Sequence, residues 1–344
     1  MKKINWGVIG LGNIAQKFLE SFSKVKNANL VAIASNNKYK LEENKSKFNI
    51  NNDFAFNDYE KLIMCNMVDI IYISLPNSFH FYWIKKCIEN KKKFLVEKPA
   101  TLNFQEAINL KSIIENNNLF FAEGFMYRYD PLIIKIIDLI KSNEIGDLLS
   151  LESSFGVNIL TKKKFLLFKK KRKINKNSRQ FSKQLGGGCI LDLGCYPTSL
   201  TILMASLIKN LDYTNFEIKV LNREIGETDV DINSEAEIIF ENGFRSNVKA
   251  SFKNNLGNNT LVKGKNGEIN IKNTFQGIKE IEVSLKNKTY KINRKMNKNI
   301  YAIEIENISQ NILEQKSTVM YPGMRIEETF INMKILESWR NDEW

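Results

Sequence analysis

A glycine-rich turn close to the amino terminus constrains the fold of this chain more than any other feature. The apolar run Ile4–Ile9 leads into Gly10–Ala15, with the sequence GLGNIA, and a helical pattern follows. A strand, a GxGxxA turn and a helix in this order are typical of a dinucleotide-binding βαβ unit. Gly10 permits the tight turn, and Gly12 lets the backbone approach a pyrophosphate at the helix amino end. The predicted contacts with that pyrophosphate are Gly10, Gly12, Asn13 and Ile14.

Apolar runs of strand length alternate with helical patterns over the first third of the chain. This alternation predicts a parallel sheet. The predicted strands are Ile4–Ile9, Leu30–Ala34, Val68–Ser74, Phe94–Val96 and Leu119–Glu123. Residues 1–124 are therefore predicted to form a dinucleotide-binding domain of the Rossmann type.

The end of the second strand is where such folds select between cofactors. An acid at this place would bind the ribose hydroxyls of NAD and repel a 2′-phosphate. This chain has Ser35 and Asn36 instead, followed by Lys38 and Lys40. We predict a preference for NADP(H), with NAD(H) also able to bind, in which Ser35 and Asn36 bond the phosphate and Lys38 or Lys40 supplies charge. The alternative is that the lysines simply begin a solvated helix.

The strand Val68–Ser74 ends in the segment LPNSFH, where we expect the ribose and the nicotinamide to bind. Ligands of doubly wound folds bind outside the carboxyl ends of the strands. His80, the only histidine of the chain, could be a general base, but a structural hydrogen-bonding role at a helix start is the favoured interpretation. The predicted cofactor contacts here are Leu75, Pro76, Asn77 and His80.

The next strand stops at Glu97-Lys98-Pro99. Pro99 ends the ladder and biases Lys98 toward an extended backbone. A lysine that is partly desolvated and close to a bound cofactor's positive ring would lose its proton more readily than a free one. We therefore predict that Glu97 and Lys98 contact the cofactor and that Lys98 is catalytic. A solvated lysine at a strand end is the alternative.

The crossover Glu123–Pro131 is crowded with aromatic and cationic side chains. Arg128 could clamp a substrate oxygen or carboxylate, or it could form an ion pair between domains. The sequence leaves both interpretations open. Met126 and Arg128 are kept as candidate substrate contacts.

A second glycine-rich segment, Leu185–Pro197, reads LGGGCILDLGCYP. Its glycines let the chain pass close to the cofactor and open a helix. Asp192 and Tyr196 are four residues apart, so we expect them on one helical face, directed at one substrate carbon. The alternative for Tyr196 is a buried structural tyrosine.

From Phe216 to Lys291 the apolar residues alternate with period two, and Asn242-Gly243 is typical of a hairpin turn. This pattern predicts an antiparallel meander of about six strands. Residues 125–344 are thus predicted to form an α+β domain with a mainly antiparallel sheet, closed by two carboxyl-terminal helices.

Composition argues against several classes of protein. No stretch approaches the roughly 20 apolar residues of a membrane helix, and the amino terminus lacks a signal-peptide pattern, so we predict a cytoplasmic protein without a membrane partner. Four cysteines without a CxxC pair or a histidine companion argue against zinc and disulfides, and no metal is predicted.

The net charge of +13 raises the hypothesis of nucleic-acid binding. The lysines are spread along the chain and form no single stripe, so no nucleic-acid partner is predicted. The densest basic segment covers residues 162–179. It could attract an anionic substrate or the cofactor phosphate, but a solvated insertion loop is the favoured interpretation.

The segments GLGNIA, PNSFH, VEKPA, GGGCILDLGCYP and VKGKNGEI follow one another over almost the whole chain. In this order they resemble the Gfo/Idh/MocA oxidoreductases, the family of glucose–fructose oxidoreductase and inositol dehydrogenase. The resemblance implies an active site containing Lys98, Asp192 and Tyr196, with Phe155 facing it. It also implies that the second domain has an open, mainly antiparallel sheet, and that a homodimer or larger oligomer buries one face of this sheet. Tyr196, where many members have histidine, resembles the glucose–fructose oxidoreductase and dimeric dihydrodiol dehydrogenase branch, and argues against the glycosidase branch.

The resulting hypothesis is reversible hydride transfer between a nicotinamide and a carbon bearing a hydroxyl or carbonyl. Tyr196 would be the general acid and base, Lys98 would favour its phenolate, and Asp192 would orient the substrate hydroxyl. A sugar, a polyol or a dihydrodiol would fit as substrate. The alternative hypothesis is a non-catalytic NADP(H)-binding sensor of the same fold.

Overall fold

The computed structural model describes residues 2–164, 168–295 and 298–341. The strands are β1 (Ile4–Ile9), β2 (Ala28–Ala34), β3 (Ala55–Phe56), β4 (Ile70–Ile73), β5 (Lys93–Glu97), β6 (Phe121–Gly124), β7 (Leu148–Gly156), β8 (Thr161–Lys164), β9 (Phe168–Lys171), β10 (Phe216–Ile225), β11 (Asp231–Phe240), β12 (Arg245–Ser251), β13 (Thr260–Gly264), β14 (Gly267–Ile271), β15 (Glu280–Leu285) and β16 (Lys288–Asn293). The helices are α1 (Asn13–Ser21), α2 (Lys38–Lys47), α3 (Tyr59–Met64), α4 (Asn77–Glu89), α5 (Phe104–Asn117), α6 (Pro131–Lys141), α7 (Cys195–Ala205), α8 (Ile300–Leu313) and α9 (Ile326–Asn341).

The chain divides into two compact units. One unit holds Met1–Tyr129 and Asn297–Phe330, and the other holds Asp130–Met296 and Ile331–Trp344. The sequence places the domain boundary after residue 124 and assigns everything beyond it to the second domain. The difference at 297–330 has a packing cause, because apolar residues of α8 such as Ala302 and Ile305 belong to the same buried core as β1 and α1.

The first unit is built on a six-stranded parallel sheet. Its strand order is β3-β2-β1-β4-β5-β6, and every neighbouring pair is parallel. All four residues of β4 are buried, as expected for a central parallel strand covered on both faces. The chain leaves β1 toward β2 on one side and reaches β4 on the other, so a crevice opens at the carboxyl ends of β1 and β4.

The second unit contains an eight-stranded sheet with the order β10-β11-β12-β7-β13-β14-β15-β16. Its neighbours are antiparallel except β12 and β7, which are parallel. Burial alternates along β11, so successive side chains point to opposite faces of the sheet. The predicted fold class, an α/β Rossmann domain plus an α+β domain with an open, mainly antiparallel sheet, is confirmed. The predicted meander of about six strands differs from the structure in two ways: the segment forms seven strands, β10 to β16, and β7 lies between β12 and β13, so the meander is interrupted there.

The basic segment 162–179 contains regular structure where the sequence favours a loop. The backbone of β8 pairs antiparallel with that of β9, and residues 165–167 of the segment lie outside the described residues. Lys171, the last residue of β9, forms an ion pair with Glu227.

Contrary to the expectation from the sequence, one helical stretch among the described residues, Lys183–Ala205, is long and apolar enough to cross a membrane, with a mean hydropathy of 1.3. The most apolar window of this stretch is buried inside the protein. Burial therefore accounts for its apolar composition.

Candidate functional site

The glycine turn after β1 has the geometry of a pyrophosphate cradle. Gly10 has φ +86°, and a Cβ there would lie 2.3 Å from the Ser74 carbonyl oxygen, so only glycine fits. At Gly12, by contrast, no described atom lies within 4 Å of an added Cβ. Among the described side chains none caps α1, and none in its first turn is acidic. The first-turn backbone N–H groups of α1 therefore have no side-chain cap among the described residues, and they fit the pyrophosphate of a dinucleotide.

The other predicted contacts of this turn lie at the same helix end. Asn13 is exposed, Ile14 is half-buried, and Ala15 is fully buried in the core between α1 and the sheet. Ala15 thus makes the close helix–strand contact that the fingerprint requires.

At the end of β2, Ser35 is buried and its Oγ accepts a hydrogen bond of 3.2 Å from the Asn37 backbone. The Asn37 side chain in turn caps α2 by accepting 3.0 Å from the Lys40 backbone N–H. Asn36, Lys38 and Lys40 are exposed. The Ser35 hydroxyl thus helps to fix this turn, and the two ammonium groups stand at its solvent side.

His80 bridges the ends of two strands. The side chain is fully buried, Nδ1 lies 2.8 Å from the Pro99 carbonyl oxygen, and Nε2 lies 2.8 Å from the Leu75 carbonyl oxygen. These contacts agree with the structural hydrogen-bonding interpretation of His80. Asn77 is buried at the start of α4, and Leu75 and Pro76 are half-buried beside it.

Lys98 follows β5 and is half-buried, and its peptide bond to Pro99 is cis. The preceding Glu97 accepts a hydrogen bond from the Tyr72 hydroxyl. On the other side of Lys98, His80 contacts the Pro99 carbonyl, and the Ala100 N–H donates 2.8 Å to Glu123 Oε1. The residues flanking Lys98 are therefore tied down on both sides.

Sequence reasoning missed Glu123, which supports this loop from β6. It is 2% exposed, and its Oε2 accepts 2.7 Å from the Thr329 hydroxyl. Burial raises the pKa of Glu123 to about 7, although the bonds from Thr329 and Ala100 and the charges of Arg128 and Lys98 act in the opposite direction. A lone acid in the apolar run FFAEG was the signal that could have found it.

Glu123 makes folding stability depend on pH. Its folded pKa of about 7 exceeds the ordinary 4.5, so its stabilising contribution is complete below pH 4.5 and is lost as the pH rises to 7. Glu123→Gln keeps the shape of the side chain and removes the titration. We expect the stability of the variant, relative to wild type, to rise by up to about 3 kcal/mol between these pH values, as measured by urea unfolding.

The exposed Glu43 offers a matched control, since Glu43→Gln removes a carboxylate of the same unit from solvent. Burial also raises the pKa of Glu304, but this residue is present in both proteins. Its effect on the pH dependence therefore cancels when the variant is compared with wild type. Parallel pH profiles for wild type and Glu123→Gln would contradict the prediction.

Arg128 is fully buried in the first unit. Its Nη1 donates 2.8 Å to Glu328 Oε1 and 3.3 Å to the Pro322 carbonyl. The observed pair favours the ion-pair interpretation of Arg128, and it lies within one unit rather than between domains. Met126, the neighbouring candidate, is also buried.

The glycine-rich segment of the second unit packs closely against the Asp231 carboxylate. Gly188 has φ +113°, and a Cβ there would lie 2.4 Å from Asp231 Oδ2. Asp231 Oδ1 accepts 2.6 Å from the Ile190 N–H, at the start of Ile190–Gly194. These five residues are wound as a π-helix that continues into α7. The α-helical spacing expected between Asp192 and Tyr196 thus applies only from Cys195 onward, because a π-helix turns more slowly.

Asp192 and Tyr196 are both buried, at 6% and 7% exposure. Asp192 Oδ1 accepts 2.8 Å from Arg179 Nη1, a partner that the sequence did not reveal. The Tyr196 ring lies 5.4 Å from that of Phe155 and 5.3 Å from that of Phe275, between ring centroids. The sequence singled out Phe155, whereas Phe275 is new and lies beyond β14 in a segment without a distinctive motif.

Two groups of candidate residues therefore exist, one in each unit. The first group lies at the carboxyl ends of β1, β4 and β5 and contains the predicted cofactor contacts other than those after β2. The second group contains Phe155, Asp192 and Tyr196, together with Arg179 and Phe275.

Comparison with known families matches both halves of the chain. The oxidoreductase family model with an NAD-binding Rossmann fold, GFO_IDH_MocA, matches residues 4–125, and the GFO/IDH/MocA C-terminal domain matches residues 133–270. The chain belongs to the Gfo/Idh/MocA oxidoreductase family.

Individual relatives of this family member are distant. The chain is 30% identical over 193 residues to trans-1,2-dihydrobenzene-1,2-diol dehydrogenase of Xenopus tropicalis, covering 56% of this chain and 53% of that one. It is 30% identical over 207 residues to D-xylose 1-dehydrogenase (NADP(+)) of Hypocrea jecorina, covering 56% and 51%. The chain thus spans about half the length of these curated relatives.

Solved structures share the whole fold. Aldose-aldose oxidoreductase from Caulobacter crescentus, complexed with glycerol, superposes with a TM-score of 0.83 at 18% identity, covering 98% of this chain and 96% of that one. The 3-ketoreductase KijD10 from Actinomadura kijaniata, in complex with NADP and TDP-benzene, superposes with a TM-score of 0.80 at 20% identity, covering 98% and 97%. Both are similar to this chain in fold.

Proposed function

We propose that this protein is an NADP-preferring oxidoreductase that moves a hydride between a nicotinamide and a hydroxyl or carbonyl carbon of a sugar, polyol or dihydrodiol. The observation that carries the proposal is the pairing of two features in one chain. An open glycine cradle at a helix amino end suits a dinucleotide, and a buried acid and phenol beside two aromatic rings suit a substrate.

Residues of the first unit would hold the cofactor. Gly10, Gly12 and the amino end of α1 would bind the pyrophosphate, with Asn13 and Ile14 beside them. Ser35 and Asn36 would bond the 2′-phosphate, and Lys38 or Lys40 would supply charge. The segment Leu75–His80 and Glu97 would line the ribose and nicotinamide. When bound, the nicotinamide would supply or accept the hydride.

The protein would move one proton and hold the geometry. Tyr196 would give its hydroxyl proton to the substrate oxygen during reduction and take it back during oxidation. Lys98 would stabilise the phenolate by its charge. Asp192 would orient the substrate hydroxyl by accepting its hydrogen bond, with Phe155 at the apolar side of the substrate.

The relatives support this range of substrates and cofactors. They include a dihydrodiol dehydrogenase and an NADP(+)-dependent D-xylose dehydrogenase. Cytoplasmic location and a homodimer formed through the open face of the eight-stranded sheet complete the proposal.

The direct test is nicotinamide absorbance during incubation with NADP(+) or NADPH and a panel of sugars, polyols and diols that includes D-xylose. Turnover of at least one neutral polyhydroxy compound is expected, with NADP(H) used better than NAD(H). NADPH binding by calorimetry without any turnover would overturn the enzymatic proposal and favour the sensor hypothesis.

Charge reversal after β2 tests the cofactor preference. The double variant Lys38→Glu/Lys40→Glu should raise the NADPH dissociation constant about tenfold or more and leave NADH binding within about twofold, because only NADPH carries the 2′-phosphate. Lys24→Glu/Lys26→Glu, at two exposed lysines near the other end of β2, makes the same change in net charge and should not affect the ratio. Equal effects on NADPH and NADH would contradict the assignment.

A further inference from the structure

We infer that Arg179 is a positioning residue that holds Asp192 in the orientation needed by the substrate. The inference deepens the proposed function and rests on it. Its basis is the ion pair between Arg179 Nη1 and Asp192 Oδ1, 2.8 Å long, in which the Asp192 side chain is 9% exposed and that of Arg179 is 43% exposed.

The backbone around Arg179 is fixed by the same glycines that open the helix of Asp192. The Gly188 N–H donates 3.0 Å to the Gln180 carbonyl, and a Cβ at Gly187 would lie 2.8 Å from the same oxygen. The next residue, Phe181, packs its ring 5.9 Å from that of Phe252. The glycine turn therefore brings Arg179 close to the π-helix. Arg179 and its acidic partner Asp192 are 13 residues apart in sequence.

The ion pair between Arg179 and Asp192 both stabilises the buried carboxylate and restrains its orientation. A buried carboxylate without a cation is costly, and a neighbouring guanidinium both offsets that cost and fixes the carboxylate plane. The guanidinium is a rigid planar fork, so it restrains a carboxylate more closely than an ammonium would. In the proposed function Asp192 holds the substrate hydroxyl, so a rotation of its side chain would move the substrate oxygen away from the Tyr196 phenol.

Arg172 provides an internal comparison within the same basic segment. Its side chain is exposed and, among the described residues, has no ion-pair partner. Arg172→Gln and Arg179→Gln remove the same charge from neighbouring positions, but only the second removes the contact with Asp192.

The test uses steady-state kinetics with NADPH and the best substrate of the panel. Arg179→Gln should lower kcat/KM about 10- to 100-fold, mainly through kcat, and leave the NADPH dissociation constant within about twofold. Arg179→Lys should restore part of the loss, and Arg172→Gln should match wild type. In an Asp192→Asn background, Arg179→Gln should cause little further loss, because the two residues act as one unit.

Wild-type kinetics for Arg179→Gln in an active enzyme would overturn this inference and leave the proposed function intact. An additive loss in the double variant, or no rescue by lysine, would also overturn it, since a purely structural arginine would behave in that way. Absence of turnover by wild type would instead overturn the proposed function, and the inference with it.

Discussion

Lys98→Met is expected to lower kcat about 1,000-fold while NADPH binding changes by no more than a few-fold. Methionine keeps the length of the side chain and removes both the charge and the hydrogen-bond donors. In the proposed mechanism these groups make the Tyr196 phenol a better acid and base, whereas the pyrophosphate is held by the backbone around Gly12. Single-turnover kinetics separate the chemical step from binding, and fluorescence titration gives the NADPH dissociation constant.

Lys93→Met is the matched control, because Lys93 opens the same strand at its opposite end and is also half-buried. It should retain wild-type kcat. Wild-type turnover in Lys98→Met would remove Lys98 from the mechanism. Loss of NADPH binding in step with kcat would mean that Lys98 acts in cofactor binding alone.

Arg128→Met should destabilise the protein by about 3–5 kcal/mol, because it removes one partner of a buried ion pair. The variant leaves Glu328 buried at 2% exposure without its main cation. The pKa of Arg128 is raised above its ordinary value by Glu328 and Tyr127 despite burial, so this guanidinium is charged at every relevant pH. Urea-induced unfolding followed by circular dichroism measures the loss.

The second half of this test replaces both partners. Arg128→Met/Glu328→Gln should recover part of the lost stability, because no unpaired charge remains buried. As a control, Lys111→Met breaks a partly exposed pair with Glu115 and should cost less than about 1 kcal/mol. A loss of stability below about 1 kcal/mol for Arg128→Met would contradict the structural interpretation. It would instead favour a role of Arg128 in substrate binding.

The parts of the fold that the sequence predicts correctly are those that depend on local sequence patterns. Gly10, Gly12 and Ala15 follow a strand directly, so their spacing alone identifies a turn whose geometry the structure reproduces. The apolar runs of β4 and β5 also predict these strands correctly, because buried parallel strands are continuously apolar. The π-helix that contains Asp192 could not be predicted, since the sequence of this segment is equally compatible with an α-helix.

The sequence by itself determined the Rossmann unit and the mainly antiparallel sheet, because glycine spacing, apolar runs and period-two alternation are local patterns. The chemistry assigned to Lys98, Asp192 and Tyr196 stays a prediction. Only the tertiary structure decided which partners the buried charged side chains have. Glu123 meets Thr329 across 206 positions, and Arg128 meets Glu328 across 200. Such partners are chosen by the packing of distant segments in a medium that does not tolerate an unpaired charge, and no local pattern records that choice.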